Sequence, residues 1–321
     1  MIITKRFVVY SFITAALLCI NGLIFLFRNH GFEYKQYIST SSPVTGCDDS
    51  CIKKWTRPAS NFSAADLAEA HTLLQLSIGI DSISSQENKL IAIGAWLKNE
   101  LSYETGSKND SVNTLPALKQ YYCFKNNRKF SYDCGNFQPI VSLFCTSVNL
   151  SCRNFQNIQI PAAGLADDSH VANEVYLKEY KKWVLTDPYQ NHMLVKKNNT
   201  PLSAPEYLDY NIASGNDTVC VVKQAAGQVV IDTVALARFK EDAYFNKNYT
   251  LYFYKETSEK SVYSFPNKLK RYFWPSSWYE VYAPQQKNTN LLFRIKQVSA
   301  VLLTGWLIFL LFRSFRKRKN D

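Results

Sequence analysis

Tyr132-Asp133-Cys134-Gly135-Asn136-Phe137 opens the stretch that decides how this chain is read. From Phe137 onward the apolar residues Val141, Phe144 and Val148 recur at helical spacing, which predicts a helix with Cys134 at or just before its N-terminus. Downstream, Ser169-His170-Val171-Ala172-Asn173-Glu174-Val175-Tyr176-Leu177 reads as a strand. After residues 178–182 a second strand follows, Trp183-Val184-Leu185-Thr186-Asp187-Pro188, and the pair reads as a hairpin. Helix and hairpin together place the chain in the α+β class. Pro139 sits early in the helix; inside a helix a proline removes one hydrogen bond and costs ~3 kcal/mol unless it falls in the first turn. The regular helix is therefore expected to start near Gln138, with Cys134 in the bend leading into it.

Cys, His and Asp in this order suit thiol acyl transfer. A thiol with an ordinary pKa near ~8.5 is mostly protonated at neutral pH, and both a helix N-terminus and an adjacent imidazolium favour the attacking thiolate. His170 is the candidate base. An imidazole presents one nitrogen to the sulfur while an acceptor holds the other, and Asp187 on the neighbouring strand fixes tautomer and orientation. The Cys134 backbone N–H is a natural first donor to an oxyanion, and Gln120, Asn113 and Tyr132 are alternatives for the second. Asp167 and Asp168, just before His170, compete with Asp187 for the imidazole; a strand end holds position more rigidly than a loop tip, which favours Asp187. His192 ranks below His170 as base because it lies in a turn. Arg153 reads equally as an ion-pair partner and as a substrate contact.

These residues resemble the core of the transglutaminase-like superfamily. Cys134-Gly135-Asn136-Phe137, Cys152-Arg153 at a strand start, His170-x-x-Asn173-Glu174-Val175-Tyr176-Leu177 and Trp183-Val184-x-x-Asp187-Pro188 carry the likeness. Ile93-Gly94-Ala95-Trp96-Leu97-Lys98-Asn99-Glu100-Leu101-Ser102-Tyr103 is similar to the helix that precedes the family's catalytic helix. The resemblance spans roughly residues 86–190. It implies a papain-like core, with a catalytic helix packed on an antiparallel sheet, Cys134 as nucleophile, His170 as base and Asp187 as orienter. Three positions depart from the pattern: Tyr132 stands where a small residue is usual, Ala172 where an aromatic is usual, and Pro139 lies within the helix.

The chain has 321 residues, 46% of them apolar, enough for a full core. Phe7 to Phe27 is a 21-residue apolar run without Asp, Glu, Lys or Arg, long enough to cross a bilayer core of ~30 Å. No Ala-x-Ala-like site follows it, so an uncleaved anchor is favoured over a signal peptide. Val298 to Phe312 is a second, 15-residue run, edged by Arg294, Lys296 and Arg313, whose long side chains would snorkel. Lys5 and Arg6 before the first run, and the cluster Arg313, Arg316, Lys317, Arg318 and Lys319 after the second, place both termini in the cytoplasm and the main domain outside a cell membrane. Residues 29–296 hold 29 Lys plus Arg against 25 Asp plus Glu, whereas the rest holds 8 against 1. The basic surplus thus flanks the membrane, and nucleic acid is not an expected partner. Seven cysteines lie outside the spans, an odd number that leaves one free thiol beside three bridges, with Cys134 the natural odd one. Cys145 and Cys152 read equally as reduced core residues, and Cys47-x-x-x-Cys51 as a local loop clip.

The expected organisation is residues 1–6 cytoplasmic, 7–27 spanning, 28–60 an extended linker, 61–195 the transglutaminase-like core, 196–290 a β-rich extension, 291–315 the second span with its flanks and 316–321 a basic tail. Within the core, Asn61 or Ser63 caps a helix whose face is Leu67, Ala70, Leu73, Leu74 and Ser77, ended by Gly79. Ser84-Ser85-Gln86-Glu87 starts another, running to about Leu101 with Leu90, Ile93, Ala95 and Leu97 buried. Residues 104–131 read as loop and 196–216 as a connecting region. Val219–Val222, Val229–Val234, Tyr249–Tyr254, Ser261–Phe265 and Tyr279–Tyr282 read as strands that either extend the core sheet or form their own layer. Tyr272, Phe273, Trp274, Trp278, Tyr279 and Tyr282 form an aromatic set suited to a membrane interface.

Two functions are compatible with these features. One is a membrane-anchored cysteine acyltransferase or amidase/protease that acts on an amide of an extracytoplasmic peptide or protein through a Cys134 thioester, with no metal and no organic cofactor. The other is a catalytically silent binding or scaffold module of the cell envelope on the same fold.

Overall fold

The computed structural model describes residues 5–26, 36–38, 47–101, 110–127, 130–159, 169–213, 218–235, 245, 249–254, 266, 273–274, 279–283 and 290–318. Along the chain the elements are α1 (Lys5–Leu26), β1 (Gln36–Ile38), α2 (Asp49–Trp55), α3 (Ala64–Ile78), α4 (Gln86–Glu100), α5 (Asp110–Asn113), α6 (Ala117–Asn126) and α7 (Cys134–Ser147). They continue with β2 (Cys152–Gln159), β3 (Ser169–Leu177), β4 (Lys182–Thr186), β5 (Leu194–Lys197), β6 (Thr200–Pro201), α8 (Ala204–Ala213), β7 (Thr218–Ala225), β8 (Gln228–Ala235), β9 (Tyr249–Tyr254), β10 (Tyr279–Tyr282) and α9 (Leu291–Arg318). The fold is α+β. The chain divides into two units, one built on α1 and α9, the other on Gln36–Val262 and Trp278–Gln286.

The larger unit holds a sheet in the order β1-β10-β9-β2-β3-β4, antiparallel except for the β1–β10 pair. A second antiparallel sheet runs β6-β5-β7-β8. Both destinations open to the later strands are thus used: β9 and β10 join the main sheet, while β7 and β8 join the second. Ser261–Phe265 lies outside the described residues.

The main sheet is buried on both faces, which is why β3 is buried along nearly its whole length although Ser169, His170, Asn173 and Glu174 are polar or charged. Val175, Leu177 and Val184 pack with Phe137, Ile140 and Phe144 of α7 and with Leu74, Ile93, Leu97 and Tyr121 behind it. Tyr176, Trp183 and Phe155 pack on the other side with Trp55, Tyr207 and Phe253. The helices end where their caps dictate. Ser63 accepts from Asp66 N–H at the start of α3, Gly79 closes it at φ 59°, and Ser85 accepts from Asn88 N–H at the start of α4.

Four stretches differ from the sequence expectation. The segment expected to be an extended linker contains α2, capped by Asp48, clipped by the Cys47–Cys51 disulfide and anchored by buried Trp55. The expected loop at 104–131 contains α5 and α6; Pro116 sets the entry to α6, and Tyr121 and Phe124, one turn apart, bury its face. The connecting region contains α8, whose Tyr207 and Leu208 are buried. Tyr282 is no interfacial residue: it is buried, with its hydroxyl 2.5 Å from Asp209 Oδ1.

In the other unit α1 and α9 each contain a helix long and apolar enough to cross a membrane, Val8–Leu26 and Leu291–Arg313. Asn21 Nδ2 donates to Ser299 Oγ at 2.9 Å and Trp306 Nε1 to Thr14 Oγ1 at 2.9 Å, polar contacts of the kind that hold apolar helices together. Lys296, expected to snorkel at an edge, is instead buried, its ammonium 4.8 Å from the Phe293 ring centre.

Candidate active site

Cys134 is the first residue of α7, not part of a bend before it. Asp133 is the N-cap: its side chain accepts from Asn136 N–H at 3.1 Å while Asn136 Oδ1 accepts from Asp133 N–H at 3.2 Å, a reciprocal capping box. That box fixes the helix start four residues earlier than Pro139 suggests. The proline removes only the bond that Gly135 C=O would receive, a loss outweighed by two capping bonds and a fully buried inner face. Gly135 is tight: a Cβ there would stand 3.1 Å from Asp133 Oδ1. Tyr132, in place of a small residue, is core, its ring 5.4 Å from Phe137 and 5.8 Å from Phe124.

Asn136 also explains two of the three oxyanion alternatives. Its amide donates to Asn113 Oδ1 at 2.6 Å and to Gln120 Oε1 at 3.3 Å, and Gln120 Nε2 in turn donates to Leu115 O at 2.8 Å. Gln120 is thereby occupied in holding the segment between α5 and α6 against the start of α7. The Cys134 N–H, at the first helical position, has no acceptor within its own helix.

α7 is fastened to the sheet by polar bonds from its second turn. Gln138 Nε2 donates to Ala172 O at 3.0 Å and Phe155 O at 3.3 Å, and Asn173 Nδ2 donates to Gln138 O at 3.3 Å and Ser142 Oγ at 2.9 Å. These bonds reach β3 two residues from His170. Nothing in the periodicity singles out Gln138 or Asn173; only the Asn in the family-like segment hinted at the second.

His170 lies near the start of β3, 1% exposed, and Asp187 lies one residue past β4, 3% exposed. Continuing the register from the Asn173↔Thr186 pair sets Ala172 opposite Asp187, so His170 reaches the carboxylate along the diagonal. Its Nε2 donates to Asp187 Oδ2 at 2.5 Å. That leaves Nδ1 as the nitrogen on the side of the ring away from Asp187, and Cys134 is close enough to the ring to bear on its charge. Burial alone would lower the His170 pKa. The Asp187 carboxylate and the neighbouring Cys134 outweigh it and raise the value to about 10.

The turn that carries Asp187 is held from three sides. Asp187 and His192 exchange both backbone bonds, at 2.7 and 2.8 Å, so His192 contributes its backbone to the turn. Asn191, at φ 61°, donates from Nδ2 to Gln224 O and accepts at Oδ1 from Gln224 N–H, both at 2.9 Å. From α4, Lys98 Nζ donates to Tyr189 O at 3.1 Å, and Gly94 lets the turn sit close: a Cβ there would meet Met193 Sδ at 2.6 Å and Pro188 Cγ at 3.2 Å. Tyr189 packs on the imidazole with ring centres 6.0 Å apart. Asp167 and Asp168 lie outside the described residues.

Arg153 is an ion-pair partner. It is paired across strands with Glu174, its Nε 2.7 Å from Glu174 Oε2, and both are buried. Among the described residues no cluster of His, Cys, Asp and Glu is arranged to hold a metal ion.

No known protein family matches the sequence, and no curated protein matches it. Among solved structures, a candidate cysteine protease from Cytophaga hutchinsonii is 19% identical over 42% of this chain and 46% of that one, with a TM-score of 0.27. The match covers less than half of that protein's length. So partial a likeness carries no weight for the chemistry, which rests on the geometry above.

Proposed function

We propose that this chain is a membrane-anchored, transglutaminase-like cysteine enzyme that cleaves or transfers an amide-linked acyl group of an extracytoplasmic peptide or protein. The observation that carries the reading is the buried 2.5 Å His170–Asp187 bond with Cys134 at the start of α7 beside the ring. In this reading Cys134 Sγ attacks the amide carbonyl and the oxyanion is met by the Cys134 N–H. His170 Nδ1 holds the proton between the sulfur and the leaving amine, and Asp187 keeps Nε2–H directed at itself. The leaving amine takes that proton as the tetrahedral intermediate collapses to a thioester, which water or a second amine then resolves. Tyr189, Gly94, Asn136 and Gln138 are positioning residues. The two long apolar helices support a two-pass anchor with cytoplasmic termini and the larger unit outside.

Labelling the full chain in detergent with iodoacetamide tests this reading. Cys134 should react fastest at neutral pH, ahead of the equally half-buried Cys123 and Cys220, and His170→Ala should erase its lead. Equal labelling of the three sulfurs would leave only the scaffold function.

A further inference from the structure

Of the free sulfurs that this chemistry does not use, two are buried in the core. Cys145, in the last turns of α7, and Cys152, the first residue of β2, are both fully buried. After α7 the chain reverses at once: Asn149 takes φ 60° and Leu150 N–H returns to Cys145 O at 3.0 Å, which lays Cys152 back over the helix. Cys152 Sγ sits 3.6 Å from Ser142 Oγ, and Ser142 and Cys145 share one face of α7 a single turn apart. Both are free thiols in this structure, and each bears on the other's charge, so the two side chains are neighbours.

We propose that Cys145 and Cys152 form a second disulfide in the mature protein, fastening the helix that bears Cys134 to the sheet that bears His170. The inference rests on the extracytoplasmic placement proposed above, where disulfides form and persist. In the folded chain Ser142 Oγ and Asn173 Nδ2 lie 3.6 and 3.4 Å from Cys152 Sγ, which holds that sulfur over α7. The Cys152 thiolate attacks an oxidising disulfide of the compartment and releases one of its sulfurs as a thiol. Cys145 then attacks Cys152 Sγ in the mixed disulfide and releases the other. Both protons and both electrons end on the partner, which leaves as two thiols. Because neither sulfur is exposed, the exchange belongs to folding, before the helix and strand close over it.

Trypsin provides the test, because no Lys or Arg lies between residues 130 and 152, so one peptide, 130–153, holds Cys134, Cys145 and Cys152. Full chain recovered from cells is denatured in N-ethylmaleimide without reductant, digested and weighed. The expected peptide carries one maleimide, on Cys134, and lacks two hydrogens; after reduction it carries three. Three maleimides before reduction, with Cys47–Cys51 still bridged, would overturn the second disulfide alone. Three maleimides with Cys47 and Cys51 also labelled would overturn the placement, and this inference with it. A bridged Cys134 would contradict both this pairing and the proposed enzyme.

Discussion

β3 carries two buried charged pairs four residues apart, and they are built to opposite ends. Glu174 faces Arg153 across the strand pair, and both of its oxygens are held, Oε2 by Arg153 and Oε1 by Ala204 N–H at 2.7 Å, while the guanidinium lies 4.5 Å from the rings of both Trp183 and Phe253. His170 faces Asp187 at the frayed end of the same strand pairing, where the hairpin register has stopped and a turn supplies the carboxylate. The first pair closes a core; the second engages one ring nitrogen and has Cys134 beside the ring. Burial alone does not separate a structural charge from a reactive one, whereas the completeness of its partners does.

The comparison breaks most visibly at Arg153. Arg153→Met leaves Glu174 buried and unpaired, a loss of about 3–5 kcal/mol that should appear as a sharp fall in the thermal midpoint of the full chain, and Arg153→Met with Glu174→Leu should recover much of it. His170→Ala should act on chemistry instead: the iodoacetamide rate at Cys134 falls by a factor on the order of 10² while other sulfurs keep theirs.

Asp187→Asn sharpens the contrast through pH. The folded His170 pKa is raised, to about 10, so the stability it contributes is fully present below its unfolded value near ~6.5 and is lost as pH rises through about 10. The gap in thermal midpoint between wild type and Asp187→Asn should therefore be widest near pH 6 and close towards pH 10; a gap independent of pH would contradict the raised pKa. The smallest effect is expected from Gly94→Ala. The added methyl displaces Met193 or Pro188, costs about 1–3 kcal/mol, and slows Cys134 labelling several-fold by loosening the turn under Asp187.

Much of the fold was legible where local chemistry and burial agree. β3 runs from Ser169 to Leu177 as its pattern predicts, and Ser63, Gly79 and Ser85 cap the helices they signal. The adjacency of His170 and Asp187 was readable too, because hairpin pairing brings nearby sequence together. α6 was not legible: its aromatic and polar residues carry a weak helical signal until Tyr121 and Phe124 meet α7. Pro139 misled for a related reason, since its cost is local and calculable while the capping box and the Gln138 bonds that offset it depend on partners brought by folding. Asn136, Asn173 and Gly94 matter through what stands opposite them, and a single strand of text does not show that.

The most direct measurement is the intact mass of the full chain after incubation with an envelope fraction from the cells that produce it. An acyl adduct should appear on Cys134, be removed by neutral hydroxylamine and be absent from Cys134→Ala. An unmodified Cys134 under conditions where the fraction's amide-bearing peptides are in excess, or an adduct that survives in Cys134→Ala, would contradict the proposed enzyme.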